Sequence, residues 1–409
     1  MDLMEQVEAI LSYGDICDRC LGRFFGKRSH GLSNAERGHA LRIAYEVDAD
    51  VPHREAQSPC WICGGELDAI ESWARAVVDA VSGIEFETFL IGTKVPPLMA
   101  ESEEMVWSDL GLTHPEPLKA EMNREVGKAV SAITGKPADL KKPDLVAILD
   151  IASGTVDVQI NPVFFAGRYR KFERGIPQTH WDCRVCRGKG CERCGGTGKQ
   201  YPDSVEELIG RPALAAFLAE CAVLHGAGRE DIDARMLGTG RPFVMEMTAP
   251  RRRTVALRDL EEAINRSAAG RVAVSLEGLA DRRAVQTLKS DKAHKKYRIL
   301  VEIDGSVSPD EVRSALDQLK GVIIHQRTPK RVSHRRADLV RERRVIDIEL
   351  VGVEEGGYVI DVVGESGLYI KELISGDSGR TRPSLAEILK RDARVASLDV
   401  LLVEDNGER

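Results

Sequence analysis

The sequence lacks any apolar run close to the roughly 20 residues that a membrane-spanning helix needs, and it has no secretory signal. The longest apolar stretch, Pro212 to Leu224, is too short for a span and contains Glu220, so we expect a buried helix there. With 43% hydrophobic and 30% charged residues, the composition is that of an ordinary water-soluble protein. We therefore expect a cytoplasmic protein of two or three domains that makes no membrane contact.

An excess of positive charge is also missing. The formal net charge is −7, which by itself argues weakly against a nucleic-acid-binding protein. Between His325 and Arg344, however, eight basic residues are opposed only by Asp338 and Glu342. The eight are Arg327, Lys330, Arg331, Arg335, Arg336, Arg341, Arg343 and Arg344. A second basic cluster is Arg251–Arg253. Phosphate binding needs a local positive surface, so both segments are candidates for it; the alternative is a solvated charged face.

The cysteines lack the even spread of a disulfide framework. Eight of the nine form four Cys-x-x-Cys pairs, and Cys221 is left alone in the apolar stretch. Paired cysteines in a chain without a secretory signal indicate metal binding in a reducing cytoplasm.

The cysteine pairs suggest two zinc sites. Cys17–Cys20 and Cys60–Cys63 form one candidate, although their long separation leaves the pairing open. The other pairs follow a repeated Cys-x-x-Cys-x-Gly-x-Gly pattern, which resembles the zinc-binding repeats of DnaJ-type chaperones. Their cysteines are Cys183, Cys186, Cys191 and Cys194. The alternative for this second set is free thiols or a redox pair. Four thiolates leave no open position on Zn²⁺, so we expect both sites to be structural.

Apolar periodicity indicates an α+β protein. In the C-terminal half, strands predicted at Phe243–Met247 and Tyr297–Ile303 alternate with helices. Arg344–Leu350 and Tyr358–Val363 are predicted to pair as a hairpin. Long antiparallel runs with helices packed on them are typical of this fold class.

A basic aromatic segment, Phe164–Lys171, follows two predicted strands at Leu145–Asp150 and Thr155–Pro162. Strand, turn, strand and the ending Gly-Arg-Tyr-Arg-Lys resemble the end of a THUMP domain, an RNA-binding module of RNA-modifying enzymes. The resemblance implies that this region contacts RNA. Tyr169 either lies against RNA or packs in the core, as an aromatic residue in a strand more often does.

The segment Gly228–Phe243 holds three carboxylates, three arginines and three glycines without a helical or strand period. This composition is typical of a loop that carries chemistry. Its start, Gly-Arg-x-Asp, resembles the catalytic loop of pseudouridine synthases. The longer string resembles the archaeal tRNA pseudouridine synthases that modify the TΨC arm. The resemblance implies that Asp231 is catalytic and that Arg229 binds phosphate or props the flipped-out strand open. Asp233 is the rival, but in an extended loop its side chain would point away.

Two later segments resemble further motifs of this family. Tyr297, which follows a basic run, is implied to stack on the target base. Gly367–Leu373 resembles Gly-x-Tyr-Ile-[Arg or Lys], which implies that Lys371 pairs with the catalytic aspartate and holds down its pKa. In the same motif Tyr369 is implied to contact the substrate and Leu373 to line the base pocket. Without the resemblance, Tyr297 would be a core residue and Lys371 an exposed helical lysine.

The basic segment Gln326–Asp338 resembles the RNA-gripping loop of the family. Arg335 and Arg336 are implied to bind phosphate there. The resemblances occur in the expected order from Gly228 to Pro383.

Together the resemblances imply an enzyme that converts uridine to pseudouridine at positions 54 and 55 of the TΨC arm of tRNA. They imply a mixed, mainly antiparallel sheet, structural Zn²⁺, no organic cofactor and no obligatory protein partner. No residue by itself selects the two positions. We predict an N-terminal zinc-binding segment at 1–66, a THUMP-like RNA-binding region with the second zinc module at 67–202, and the catalytic domain at 203–409.

Two other classes of protein are rivals. A THUMP-bearing methyltransferase or thiolase would need an acidic-Gly-x-Gly-x-Gly nucleoside loop or a Ser-Gly-Gly-x-Asp-Ser pyrophosphate loop, and the sequence contains neither. An RNA-binding protein without catalysis, such as an RNA chaperone with a DnaJ-like module, would leave Asp231, Tyr297 and Lys371 without a role.

Overall fold

The structure is a computed structural model that describes residues 1–56, 58–113, 115–290, 293–333 and 337–404. Its internal contacts divide the chain into two compact units. The first contains Met1–Asn161 and the short segment Ala249–Arg253, and the second contains Pro162–Thr248 and the chain from Thr254 onward. In the described part of the chain, no helix combines the length and the apolar character that a membrane span requires.

The first unit combines helices with a small sheet. Its helices are α1 (Leu3–Ser12), α2 (Asp18–Phe24), α3 (Asn34–Asp48), α4 (Ile70–Ala80), α5 (Pro97–Asp109) and α6 (Leu118–Thr134). Its strands are β1 (Phe89–Lys94), β2 (Leu145–Asp150) and β3 (Thr155–Ile160). Strands β1 and β2 are parallel and β3 runs antiparallel to β2. The helices α5 and α6 lie between β1 and β2 in the chain, because two parallel strands need a long crossover connection.

Local sequence explains the ends and faces of these elements. Ser33 and Glu36 form a capping box that satisfies backbone N–H groups at the start of α3. In β2 the alternate residues Leu145, Ala147 and Leu149 are buried, while the residues between them are partly exposed. This alternation is the period-two pattern of a strand with one face on the core.

The second unit is built on one large sheet. Its strands are β4 (Val163–Lys171), β5 (Cys221–Gly226), β6 (Ala234–Thr248), β7 (Val272–Ala280), β8 (Lys295–Ile303), β9 (Ile323–Arg327), β10 (Val340–Glu354), β11 (Gly357–Gly364), β12 (Thr381–Arg382) and β13 (Ala393–Val403). Its helices are α7 (Val205–Phe217), α8 (Leu257–Ala268), α9 (Arg282–Ser290), α10 (Pro309–Asp317), α11 (Ile370–Ser375) and α12 (Leu385–Leu389). The strand order is β12-β9-β10-β11-β8-β13-β6-β4-β7, with β5 paired to β6.

This sheet confirms the predicted α+β class with a mixed, mainly antiparallel sheet. Among the described strand pairs of the second unit, only β6 and β13 run parallel. The predicted hairpin is present as β10 and β11, closed at Glu354↔Gly357. The central strands carry the largest hydrophobic core, so the residues at their ends are held on a rigid support.

The prediction of a buried helix over Pro212–Leu224 is wrong for the second half of this segment. Helix α7 begins earlier, where the Ser204 side chain accepts the N–H of Glu207, and it ends at Phe217. The chain then reverses into β5, which pairs with β6 and exposes Cys221. A short apolar run does not distinguish helix from strand, and here pairing with β6 decides the outcome.

The segment predicted as a loop over Gly228–Phe243 is a loop only at its start. Strand β6 begins at Ala234 and continues to Thr248. Gly238 has φ +56°, and a Cβ atom there would lie 1.8 Å from the Leu401 carbonyl oxygen. The glycines therefore allow close strand packing, which obscured the strand pattern in the sequence.

The segment Phe164–Lys171, expected to end the RNA-binding module, is strand β4 and pairs with β6 and β7 of the second unit. The contacts therefore divide the chain after Asn161, whereas the sequence placed boundaries after residues 66 and 202. Strand β4 is the second strand from one edge of the large sheet, and the second cysteine set that follows it also belongs to the second unit.

Candidate active site

A cleft of about 680 Å³ opens in the second unit beside the loop that precedes β6. Five residues predicted from the sequence line it: Arg229, Asp231, Tyr297, Tyr369 and Lys371. They come from the loop, from β8 and from the start of α11. The structure thus brings together side chains that are far apart in the sequence, as the motif resemblances implied.

Asp231 lies between two cations. Its Oδ1 accepts a hydrogen bond from Arg331 Nη1 at 2.9 Å, and its Oδ2 lies 3.4 Å from Lys371 Nζ. The carboxylate is 37% exposed, so it remains accessible from the cleft. Each oxygen is therefore held by a different cation while the group stays open to a substrate.

Asp233 does not point away, as the sequence led us to expect. Its carboxylate accepts two hydrogen bonds from Lys371 Nζ, at 2.6 and 2.9 Å. Burial raises the pKa of Asp233, but the Lys371 hydrogen bond and charge lower it further, so the pKa is lowered overall. The cause is a turn at Ile232 that replaces the expected extended backbone. Lys371 is therefore shared by two carboxylates, with the shorter contacts to Asp233.

Glu372 completes the arrangement and was missed in the sequence. This nearly buried carboxylate accepts hydrogen bonds from Arg331 Nε at 2.7 Å and Nη2 at 3.3 Å. Burial lowers the pKa of Arg331, but the carboxylates of Glu372 and Asp231 raise it more. Arg331 therefore bridges Glu372 and Asp231 as a cation. The only sequence signals for this bridge were the position of Arg331 in a basic segment and the position of Glu372 directly after Lys371.

A buried polar cluster supports the Asp231 loop from below. Glu230 pairs with Arg241 Nε at 2.8 Å, and it accepts the Tyr169 hydroxyl at 2.9 Å. The Tyr169 hydroxyl in turn accepts from Gln178 Nε2 at 2.8 Å. Tyr169 is fully buried, so the core alternative for this residue is confirmed. Burial, and then the Glu230 charge, raise the pKa of Tyr169.

Lys171 fixes the backbone of the same loop. It is fully buried, and its Nζ donates to the carbonyl oxygens of Ile176 at 2.7 Å and Ile232 at 3.2 Å. Arg241 Nη1 similarly donates to the Ala227 carbonyl oxygen at 2.6 Å. Buried donors that bind loop carbonyl groups reduce the freedom of the loop, which keeps Asp231 in one position.

Tyr297 and Leu373 were both predicted to hold the target base, and only Tyr297 lines the cleft. Tyr297 lines the cleft, and burial, followed by the Asp231 charge, raises its pKa to about 12 despite the opposing effect of Arg241. Leu373, by contrast, is fully buried in the hydrophobic core and is not among the lining residues. Leu398 and Val400 of β13 provide apolar lining instead. On the short helix α11, the side chain two positions after Lys371 points into the core.

The backbone of Tyr369 is fixed by a buried amide. Its N–H donates to Gln326 Oε1 at 2.8 Å, and its carbonyl oxygen accepts from Gln326 Nε2 at 2.9 Å. Gln326 is fully buried at the end of β9, so it joins the motif Gly367–Leu373 to the sheet.

Arg229 lies at the exposed rim of the cleft. Its guanidinium carbon is 5.6 Å from the centroid of the Trp181 ring, a cation–π arrangement. Trp181 also lines the cleft and contacts the Tyr201 ring edge to face at 5.6 Å. No sequence motif pointed to Trp181, although it lies two residues before Cys183.

Several arginines in or near the two basic segments form ion pairs within the protein. Arg335 and Arg336 lie outside the described residues. In the described neighbourhood, Arg327 and Arg380 both pair with Asp338, at 2.6 and 2.9 Å. Arg253 pairs with Asp144 at 3.0 Å within the first unit. Some of these cations therefore hold the fold together and do not form a uniform phosphate-binding surface.

Each predicted cysteine set is assembled. Within each, the four sulfur atoms all lie within 4.8 Å of one another. In the first set, Cys17 Sγ and Cys63 Sγ are 3.8 Å apart. In the second, three sulfur pairs are 3.7 to 3.9 Å apart: Cys183–Cys191, Cys186–Cys194 and Cys191–Cys194. Tetrahedral zinc with Zn–S bonds of about 2.3 Å requires sulfur separations of about 3.8 Å. Both sets therefore fit a metal ion, and Cys221 belongs to neither.

Two family models and several known proteins are similar to this chain. The family model described as "Pus10, C-terminal" matches residues 164–404, and the model described as "Pus10 THUMP domain, archaeal" matches residues 73–150. The tRNA pseudouridine synthase Pus10 of Methanothrix thermoacetophila is 46% identical, over 98% of this chain and 94% of that protein. The proteins of the same name from Halorubrum lacusprofundi and Methanothermobacter marburgensis are 43% and 47% identical, over 100% and 98% of this chain and 98% and 99% of their own lengths.

These matches define the class as a pseudouridine synthase that carries a THUMP domain. The chain belongs to the Pus10 family of tRNA pseudouridine synthases. The family resemblance inferred from the motifs is thereby confirmed. The THUMP match ends at residue 150, before β3 and β4, which agrees with the assignment of β4 to the second unit.

Proposed function

We propose that this protein converts uridine to pseudouridine at positions 54 and 55 of the TΨC arm of tRNA, with Asp231 as the catalytic carboxylate. The observation that carries the proposal is the position of Asp231 in the cleft, between Arg331 and Lys371. The relatives, which align over nearly their full lengths, support the reaction and the tRNA substrate. The choice of the two positions rests on the sequence resemblance.

The reaction breaks the C1′–N1 bond, turns the uracil and joins C1′ to C5. The C5 proton leaves and N1 gains a proton, so no electrons are exchanged and no second reactant is consumed. An ionised Asp231 either attacks the nucleotide covalently or abstracts a proton from it. In both cases the carboxylate must reach an atom of the base or the sugar of a nucleotide that has left the helix, and the cleft gives it that access.

Tyr297 provides a flat face for a base that must change its orientation. An aromatic ring binds a pyrimidine by stacking without fixing the direction of its edge, so the same contact serves before and after the turn. Leu398 and Val400 supply the apolar lining that the sequence had assigned to Leu373. We propose that these three residues keep the detached base in the cleft.

The charged groups around Asp231 have separate tasks. Glu372 fixes Arg331, and Asp233 fixes Lys371, so that both cations are presented to Asp231 in defined positions. Arg229, placed over Trp181, occupies the space that a flipped nucleotide leaves or binds a neighbouring phosphate. Tyr369 contacts the substrate beside Lys371, and Arg335 and Arg336 bind RNA phosphates.

We also propose that each cysteine set holds one structural Zn²⁺ and that no organic cofactor takes part. The support for zinc is the sulfur spacing and the four-thiolate composition, which leaves no open coordination position. The second set lies in a glycine-rich segment with little apolar core, and a metal would supply its folding energy. Finally, we propose that the protein acts on tRNA in the cytoplasm and needs no protein partner.

The test is direct. Purified protein is incubated with unmodified tRNA and no added cofactor, and a pseudouridine-selective chemical label followed by primer extension locates the product. Transcripts carrying cytidine at position 54 or at position 55 show whether each site is modified independently. Absence of pseudouridine despite tight tRNA binding would favour an RNA-binding protein without catalysis. Product elsewhere in the tRNA would refute the assignment to the TΨC arm.

A further inference from the structure

Arg23 is a fully buried arginine on α2, one helical turn after the metal-site residue Cys20. Its Nη1 group donates to Glu103 Oε2 at 2.6 Å and to the Glu116 carbonyl oxygen at 3.0 Å. In the described part of the chain, its Nε and Nη2 groups have no hydrogen-bond partner. A guanidinium carries five N–H donors, and unused buried donors are costly. The side chain therefore presents a positive edge that the protein atoms alone do not satisfy.

The first cysteine set needs such a charge. Zinc with four thiolates carries a formal charge of −2, and the four sulfur-bearing residues are all buried. Backbone groups supply part of the compensation, because the N–H of Cys17 donates to Cys60 Sγ at 3.3 Å and the N–H of Cys20 donates to Cys17 Sγ at 3.4 Å. A net negative charge in a low-dielectric interior remains unfavourable unless a cation is close to it.

Arg23 and Cys20 lie three residues apart on α2. Residues three apart on a helix lie on the same face, so the guanidinium and the sulfur point to the same side of α2. The guanidinium therefore has Glu103 as its partner on one side and lies on the same helix face as the Cys20 sulfur.

We propose that Arg23 is a positioning residue of the first metal site, which supplies through its Nε and Nη2 edge the positive charge that a buried tetrathiolate centre needs. Glu103 holds the guanidinium in place from the other side. The inference rests on the zinc binding proposed above. The second set is less buried and does not need a comparable cation, since water screens its charge.

The test uses the full-length chain with Cys183→Ser and Cys186→Ser, so that only the first set binds metal. Zinc affinity is measured by competition with a chromophoric chelator, and Co²⁺ substitution reports tetrathiolate coordination by its visible absorption bands. Arg23→Met is expected to weaken zinc binding by about 10- to 100-fold, the usual effect of losing an outer-shell partner. Arg23→Lys keeps the charge and is expected to restore most of the affinity.

Glu103→Gln is the matched control. It removes the negative charge of the other partner of Arg23 but leaves the positive charge, so zinc affinity is expected to stay within about threefold of the parent. The thermal stability of metal-free protein shows the packing cost of each substitution separately. If Arg23 served only to pair with Glu103, both substitutions would lower metal-free stability and leave zinc affinity unchanged.

Several results would overturn the inference. Unchanged zinc affinity in Arg23→Met would remove Arg23 from the metal site while leaving zinc binding itself established. Equal losses in Arg23→Met and Arg23→Lys would show that charge is not the relevant property. If Arg23→Met does not fold, an Arg23→Lys affinity more than tenfold below that of Glu103→Gln would also refute it. Absence of zinc from the parent chain would overturn both the inference and the proposed metal site.

Discussion

Arg331 reaches Asp231 across 100 residues of sequence and donates a 2.9 Å hydrogen bond to its Oδ1. The arginine belongs to the turn after β9, in the segment that resembles an RNA-gripping loop. RNA that moves this segment would therefore also act on the proposed catalytic carboxylate. The contact would thereby link the proposed tRNA binding to the proposed chemistry in one cleft.

Asp231→Asn is expected to abolish pseudouridine formation and to leave tRNA binding nearly intact, since an amide replaces the ionised carboxylate without removing bulk. Single-turnover assays and filter binding measure the two properties. Asp233→Asn is the matched control, with a smaller loss expected. Turnover of Asp231→Asn within about tenfold of the wild type, a barrier change of only about 1.4 kcal/mol, would eliminate it as the catalyst. A greater loss in Asp233→Asn would transfer the role to Asp233.

Glu372→Gln is expected to slow the chemical step by about 10- to 100-fold, because Arg331 loses the charged partner that fixes it beside Asp231. Single-turnover rates at saturating tRNA isolate this step from binding. Arg327→Ala is the control, since Arg327 lies in the same basic segment and pairs with Asp338 outside the cleft. A Glu372→Gln rate equal to the wild-type rate would show that the bridge is not needed for chemistry.

Elemental analysis is expected to find about two zinc ions per chain, one for each four-cysteine set. Replacing Cys183 and Cys186 by Ser should remove one ion and lower the melting temperature of the second unit. Cys221→Ser is the control, because this exposed thiol belongs to neither set. Retention of two ions after the double substitution would mean that the cysteines are paired differently.

Arg335→Ala combined with Arg336→Ala is expected to weaken tRNA binding and to flatten the log–log salt dependence by roughly one to two units, since two phosphate contacts are lost. Affinity measured between low and moderate salt provides the slope. An unchanged affinity and slope would favour a solvated charged face. A loss of affinity with an unchanged slope would indicate internal pairing instead.

Asp399 makes the stability of the second unit depend on pH in the acid range, because two arginines bind its carboxylate. It accepts hydrogen bonds from Arg174 Nη2 at 2.7 Å and Arg235 Nε at 2.9 Å. Burial raises the pKa of Asp399, but the arginines lower it further, to below the ordinary value of 3.8. A lowered folded-state pKa stabilises the fold above pH 3.8, and this contribution is lost as the pH falls through the folded-state value.

Asp399→Asn should therefore lower the unfolding free energy at pH 7 by about 1–3 kcal/mol. The difference from the wild type should shrink in urea titrations as the pH approaches 3. Asp310→Asn changes a carboxylate that is 91% exposed and should have little effect at any pH. A constant difference between Asp399→Asn and the wild type across this range would contradict the assignment.

The sequence by itself determined the features that depend on short spacing. The Cys-x-x-Cys pairs and the Gly-Arg-x-Asp string each lie within a few residues, and the β10–β11 hairpin joins two strands that follow one another in the chain, so local order is enough to identify them. The cleft residues Asp231, Tyr297 and Lys371 were predicted because each belongs to such a string, and the structure assembles them.

Only the tertiary structure decided which side chains meet. It turned Asp233 towards Lys371, buried Leu373 away from the cleft and placed Leu398 and Val400 along the cleft wall. It also placed Glu230 beneath the loop, on partners from β4 and β6. These outcomes depend on side-chain directions set by long-range strand pairing and core packing. A run of residue types does not contain that information, because the same run suits several pairings until its neighbours are in place.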